Sequence, residues 1–170
     1  AEPAKLVEAQ PAPDYRAAPH NVEAEQALLG AILINNEAYY RVSDYLLADH
    51  FFEPLHRKIY EVISELVRAN KIANPVTITT FLPEDDKVGD LTVAHYLARL
   101  AAEAPTIINA GDYGRSIYDL ATRRSLITIG EDMVNIAYDA PVDLEPQDQI
   151  EDVERRLFDL AENGRSEKGF

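Results

Sequence analysis

Two helical stretches separated by a proline-marked turn constrain the fold of this chain more than any other feature. From Thr106 to about Tyr138 apolar residues recur at helical intervals, through Gly111, Gly114 and Gly130. "DAPVDLEP" interrupts the pattern and "QDQIEDVERRLFDLAEN" resumes it. Two long helices joined by so short a turn form an antiparallel hairpin. On the second helix, Ile150, Val153, Leu157 and Leu160 follow a three-four-three spacing, the mark of a coiled-coil-like seam. Glu151 with Arg155 and Asp152 with Arg156 place acid before base on its solvated side. On the first helix, Leu126, Ile129, Met133 and Ile136 form a matching seam, while Ile127, Val134 and Tyr138 lie about 100° further round. One partner helix covers only one of these stripes. The other must meet the rest of the chain or a second subunit, and the second subunit is the reading adopted. The eight seam residues are the candidate subunit-interface positions.

The upstream residues predict a helical head. Residues 1–18 hold Pro3, Pro11 and Pro13 among alanines and charges, a composition expected of a flexible arm. In "PHNVEAEQALLGAIL", Asn21 is a good N-cap and Glu23 and Glu25 suit the positive end of a helix dipole. Ala24, Ala27, Leu28, Ala31 and Ile32 trace one buried face. Gly30 costs about 1 kcal/mol relative to alanine inside a helix, so close approach of another helix is expected there. A second helix is expected over 35–47. A third begins at Pro54, with Leu55, Ile59, Val62, Ile63 and Leu66 as its stripe. "NPVTITTFL" reads equally as a strand or as one or two helical turns capped by Thr77. An acidic turn over 84–90 leads to a helix with Val93, Tyr96, Leu97, Leu100 and Ala101 inward. The expected organisation is all-α: an arm (1–18), a helical globular head (19–105), a long antiparallel helical hairpin (106–163), and the start of a linker or the end of an excised piece (164–170).

Chemistry is hard to find in these residues. Cysteine is absent, which removes disulfides and thiolate sites, and the net charge is −14 from 16 basic and 30 acidic residues. A protein that grips phosphates needs a basic face, so direct, tight nucleic-acid binding is not expected. No glycine is followed by the lysine and hydroxyl of a phosphate loop. His50 and His56 are six positions apart, unsuited to a helical ligand pair, and with His20 and His95 are read as surface or half-buried imidazoles. "PEDD" lacks the pattern of a calcium loop and is read as a solvated turn. Ser43, Ser64, Ser116, Ser125 and Ser166 sit in no nucleophile elbow. Arg115, Arg123 and Arg124 form the one basic patch of note, read as solvated helix charges. Tyr39, Tyr40, Tyr45 and Tyr60 are assigned to packing. Catalytic, cofactor-binding and metal residues are therefore expected to be none. A binding or assembly module is expected instead.

In chain order, "PHNVEAEQALLGAIL", "ADHFFEPLHRKIYEVISEL", "PVTITTFL", "YLARLAAEAPTIINAGDYGRSIYDLATRRSLI" and "VERRLFDLAE" resemble the N-terminal domain of DnaB-type bacterial replicative DNA helicases. The distinctive element, N-E-A-E-x-x-L-L-G in the family, reads Asn21 to Gly30 here, with Val22 inserted after the asparagine. The chain departs from the family pattern at Gly89-Asp90-Leu91, where a glycine pair is common, and in lacking an aspartate before Val76. The resemblance implies a helical head plus hairpin, with a short helix around Thr77. It implies the collar of a homohexameric ring, built as a trimer of dimers and docking the C-terminal domain of primase. ATP and Mg would belong to a separate RecA-like domain expected C-terminal to this one. DNA would be met only through the full ring, in a bacterial cytoplasm, with no membrane partner. The alternatives are the helicase-binding domain of primase and a free-standing helical adaptor.

Overall fold

In a computed structural model of the chain, residues 17–83 and 87–168 are described, with side chains to Gly164. Most of the expected arm and the core of the acidic "PEDD" turn lie outside these residues, as does the side chain of Ser166. Among the described residues the fold is all-α apart from one two-stranded turn.

Helix α1 (Val22–Ile34) begins at Asn21, whose side-chain oxygen accepts the Ala24 amide at 2.9 Å. Its expected apolar face is buried apart from half-buried Ala27, but so are Glu25, Leu29, Gly30 and Leu33. α1 is the central helix of the head, enclosed on more than one side. Gly30 shows why it is kept. A Cβ there would collide with the backbone carbonyl of Leu100, so glycine permits the closest approach between α1 and the helix that carries Leu100.

The helix expected over 35–47 is shorter. Helix α2 (Glu37–Tyr40) stops after one turn, and the chain continues as turns to Tyr45. Tyr39, Val42 and Leu46 still face inward at helical spacing. Ser43 and Asp44, which compete for backbone hydrogen bonds, weaken the continuation. Asn36 fixes the entry to this segment. Its side chain donates to Ile32 O and Ala73 O and accepts from Ala73 N, all within 2.9 Å.

Helix α3 (Pro54–Arg68) carries the expected stripe, with Ile59 and Ile63 fully buried. Helix α4 (Pro75–Thr79) settles the ambiguous segment as helical, although its cap is Asn74 rather than Thr77. Asn74 Oδ1 accepts from Val76 N and Thr77 N, and Thr77 Oγ1 accepts from Asn74 N, each at 2.9 Å. This reciprocal box outweighs the β-propensity of the valine and isoleucine. Strands β1 (Lys87–Val88) and β2 (Leu91–Thr92) pair antiparallel around Gly89, whose φ of 61° suits glycine. Helix α5 (Val93–Ala102) follows, capped by Thr92, with Val93, Tyr96, Leu97 and Leu100 buried.

After a 3₁₀ turn at Ile107–Asn109, helix α6 runs from Ala110 to Tyr138, and helix α7 from Pro146 to Lys168 returns along it. The root of α6 belongs to the head. Ala110, Gly114, Ile117, Tyr118 and Ala121 are buried, and α1 packs between α5 and α6. Gly114 is required there, because an added Cβ would strike Val42 and the Tyr45 hydroxyl.

Candidate functional site

The hairpin surface is where the chain leaves apolar area uncovered. Within the hairpin, Ile129, Ile136, Val153 and Leu160 are half-buried. Arg156 Nη1 donates to Asp132 at 3.1 Å and Gln149 Nε2 to the Met133 carbonyl at 2.8 Å, holding α7 on that side of α6. The other four candidates, Leu126, Met133, Ile150 and Leu157, are between 42 and 51% exposed. The eight predicted positions therefore divide: four make the intrahairpin seam and four face outward. The outward set on α6 is joined by Ile127, Val134 at 52% and Tyr138 at 85% exposure. These residues form one continuous band rather than two separate stripes. Gly130 lies within the band, and a Cβ there would meet nothing in this chain. Of the two ion pairs expected on α7, Asp152–Arg156 forms at 3.6 Å and Glu151–Arg155 does not. Asp152 takes both Arg155 and Arg156, while Glu151 accepts from Gln147.

The second feature is a buried polar relay inside the head. Glu25 was expected to suit the helix dipole, and its side chain is only 2% exposed. Its carboxylate accepts Phe52 N at 2.7 Å, Glu53 N at 3.3 Å and His56 Nδ1 at 2.8 Å. His56 Nε2 lies 2.6 Å from the Tyr96 hydroxyl, which accepts from Gln26 Nε2 at 3.1 Å. Because a carboxylate only accepts, Nδ1 must donate to it. In the neutral imidazole Nε2 is then the acceptor, the Tyr96 proton points at it, and every polar atom of the relay is satisfied. Burial by itself would raise the Glu25 pKa. The bonds from His56 and the two amides prevail and hold it below the ordinary 4.5. Burial pushes the Tyr96 hydroxyl up. The arrangement parallels a carboxylate–imidazole–hydroxyl triad, but Tyr96 is buried at 5% exposure and presents no nucleophile to a substrate. Its role is to pin the start of α1 to α3 and α5. The signal was present in the sequence: Glu25 shares the inward i, i+3, i+4, i+7 positions with Leu28, Leu29 and Ile32.

Arg124 is the third feature, and it corrects the reading of the arginine patch as solvated charge. Nη1 donates to the Pro19 carbonyl and Nη2 to the His50 carbonyl, both at 2.7 Å, with the guanidinium 5.4 Å from the Phe52 ring centre. Arg115 lies over the Tyr45 ring at 4.9 Å, while Arg123 is exposed. The three therefore point to different places. Arg124→Ala is expected to lower stability by about 2 kcal/mol, the scale for hydrogen bonds from a charged group. Arg124→Lys should recover only part, because an ammonium lacks the planar fork. Urea midpoints of the three proteins check this.

The histidines do not cluster. His56 is in the relay rather than at the surface, His20 stacks on Phe52 at 3.9 Å, and His50 lies against Tyr118. Among the described residues no group of three or more His, Cys, Asp and Glu side chains is placed to hold a metal. Ser64 donates to the Tyr60 carbonyl within α3. No helix among the described residues is long and apolar enough to cross a membrane.

The family model described as "DnaB-like helicase N terminal domain" matches residues 17–119, which is the head and the root of α6. The chain belongs to this family. Among curated DnaB relatives, the replicative DNA helicase of Rickettsia felis is 46% identical over 158 residues, 93% of this chain and 32% of the relative. That of Pasteurella multocida is 33% identical over 144 residues, 85% of this chain and 31% of the relative. The chain thus spans about a third of the length of the curated DnaB proteins it matches. The crystal structure of the N-terminal domain of DnaB helicase from Mycobacterium tuberculosis superposes with a TM-score of 0.75 at 26% identity, over 84% of this chain and 99% of that one. A DnaB-like replicative helicase, whose structure is described together with its interactions with primase, shares the fold at a TM-score of 0.62 and 23% identity. It covers 82% of this chain and 31% of that one. The DnaB family model stops before the outward band of α6, whereas the Rickettsia match takes in most of the hairpin.

Proposed function

We propose that this chain is the N-terminal collar of a ring-shaped replicative DNA helicase, where it joins subunits and docks primase. The observation that carries the reading is the outward apolar band on α6, from Leu126 to Tyr138, on a hairpin whose own second helix covers the opposite side. Its relatives are replicative DNA helicases. The described residues supply binding surfaces. ATP hydrolysis with Mg, and strand separation, belong to the portion of the relatives that this chain does not span. Assembly is as dimers that build a hexamer, with Leu126, Met133, Ile150 and Leu157 at the subunit contact. Ile129, Ile136, Val153 and Leu160 support it from within the hairpin. DNA passes through the assembled ring, and the setting is the bacterial cytoplasm.

The net charge of −14 supports a collar that does not grip DNA and that attracts a basic partner. Calorimetric titration with the C-terminal domain of the cognate primase tests the docking role. Binding is expected at about 0.05 M salt and should weaken several-fold by about 0.5 M, as charge attraction is screened. No heat at low salt removes primase docking from the reading. Affinity that ignores salt removes the electrostatic part.

A further inference from the structure

His50 stands where the head meets the hairpin, on a 3₁₀ turn (Ala48–His50) between α2 and α3. The Leu47 amide donates to His50 Nδ1 at 2.9 Å, so that nitrogen carries a lone pair and the ring proton lies on Nε2. The His50 carbonyl accepts from Arg124, and the ring meets Tyr118 edge-on at 4.9 Å. The ring also lines a cleft of about 600 Å³ between the turn, α6 and the last turns of α7. One residue thus closes its own turn through its side chain and offers its backbone to the arginine that ties α6 to the head.

We propose that His50 is a proton-operated latch: a proton taken up at Nδ1 removes the acceptor for the Leu47 amide, opens the 48–50 turn and loosens the hold of Arg124 on the head. The charged and titratable groups that line the clefts beside His50 are Asp49 on the same turn, Asp44 and Tyr45 on the preceding segment, Arg124 and Tyr118 on α6, and Arg156 and Asp159 on α7. Arg156 is occupied by Asp132 and Asp152. Burial lowers the His50 pKa below the ordinary 6.5, Asp49 opposes this, and Arg124 adds to the lowering. The open turn therefore binds a proton more readily than the closed one. Opening is favoured as pH falls below 6.5 and levels off below the lowered value. Glu25 titrates in a separate range, below 4.5.

Amide hydrogen exchange followed by NMR on the whole chain, from about pH 7.5 to 5 around the ordinary imidazole pKa, tests the latch. Protection of the Leu47 and Phe51 amides is expected to fall by up to about tenfold per pH unit below 6.5. In His50→Asn, whose side-chain oxygen can take the place of Nδ1 without titrating, protection should stay level. The Ile32 amide in the core should hold in both proteins. A level profile in the parent, or an equal fall in His50→Asn, overturns the latch. So does a parallel fall at Ile32, which would mark whole-domain opening. The imidazole ¹⁵N spectrum is an independent readout needing no substitution, and a proton found on Nδ1 at neutral pH also overturns it.

Discussion

Glu25→Ala is expected to cost the head about 3–5 kcal/mol, the scale for leaving three buried donors without the charged acceptor they share. The change leaves the Phe52 and Glu53 amides and His56 Nδ1 facing a cavity too apolar to replace the carboxylate. A domain of this size loses about 2–4 °C in melting temperature per kcal/mol, so a drop of about 6–20 °C is expected by calorimetry. Glu25→Gln keeps the shape and one acceptor oxygen and should lose less. It should also change the response to acid. Because the folded state holds Glu25 below 4.5, its contribution is complete above that value and disappears as pH falls through the folded pKa. The parent should therefore lose stability below pH 4.5 more steeply than Glu25→Gln. A melting temperature for Glu25→Ala within a degree or two of the parent would show that the relay contributes little.

Met133→Glu with Val134→Glu should convert an assembling chain into a monomer by light scattering. Both side chains lie in the outward band of α6, at 42 and 52% exposure. Their replacement removes no buried contact within the chain, and its unfolding midpoint should move by no more than about 0.5 kcal/mol. Across a subunit contact the same change places two carboxylates in an apolar seam, which costs several kcal/mol. Leu157 and Leu160 are a less clean pair. Leu160 is half-buried against α6 and lines the cleft beside His50, so charging it would disturb the hairpin itself. A doubly substituted chain that keeps the parent's mass would remove the α6 band from the subunit contact.

The helices of this protein were legible in its sequence wherever a long stripe coincided with a good cap. Asn21 with the stripe of α1, Pro54 with that of α3, and the Ile150-to-Leu160 spacing all became helices in the expected places. The segment over 35–47 misled, because inward spacing at Tyr39, Val42 and Leu46 can be met by successive turns as well as by a helix. At 74–79 local preference was balanced, and the Asn74–Thr77 box decided it. A seam of four on each helix was visible, but which of the eight face the partner helix depends on the rotation of α6 against α7, set by Asp132–Arg156 and by the root of α6 in the head.

By itself the sequence determined an all-α head with a helical hairpin, the spare apolar surface, and the family, because these follow from period, caps and a run of shared residues along the chain. Only the tertiary structure decided what Glu25, His56, Tyr96, Arg124 and Gly114 do. Each acts on a partner distant in sequence: His56 is 31 positions from Glu25 and 40 from Tyr96, and Pro19 is 105 from Arg124. A charged residue in a helical pattern reads as solvated until something covers it. Whether something does is settled by how helices cross, and no local periodicity carries that information.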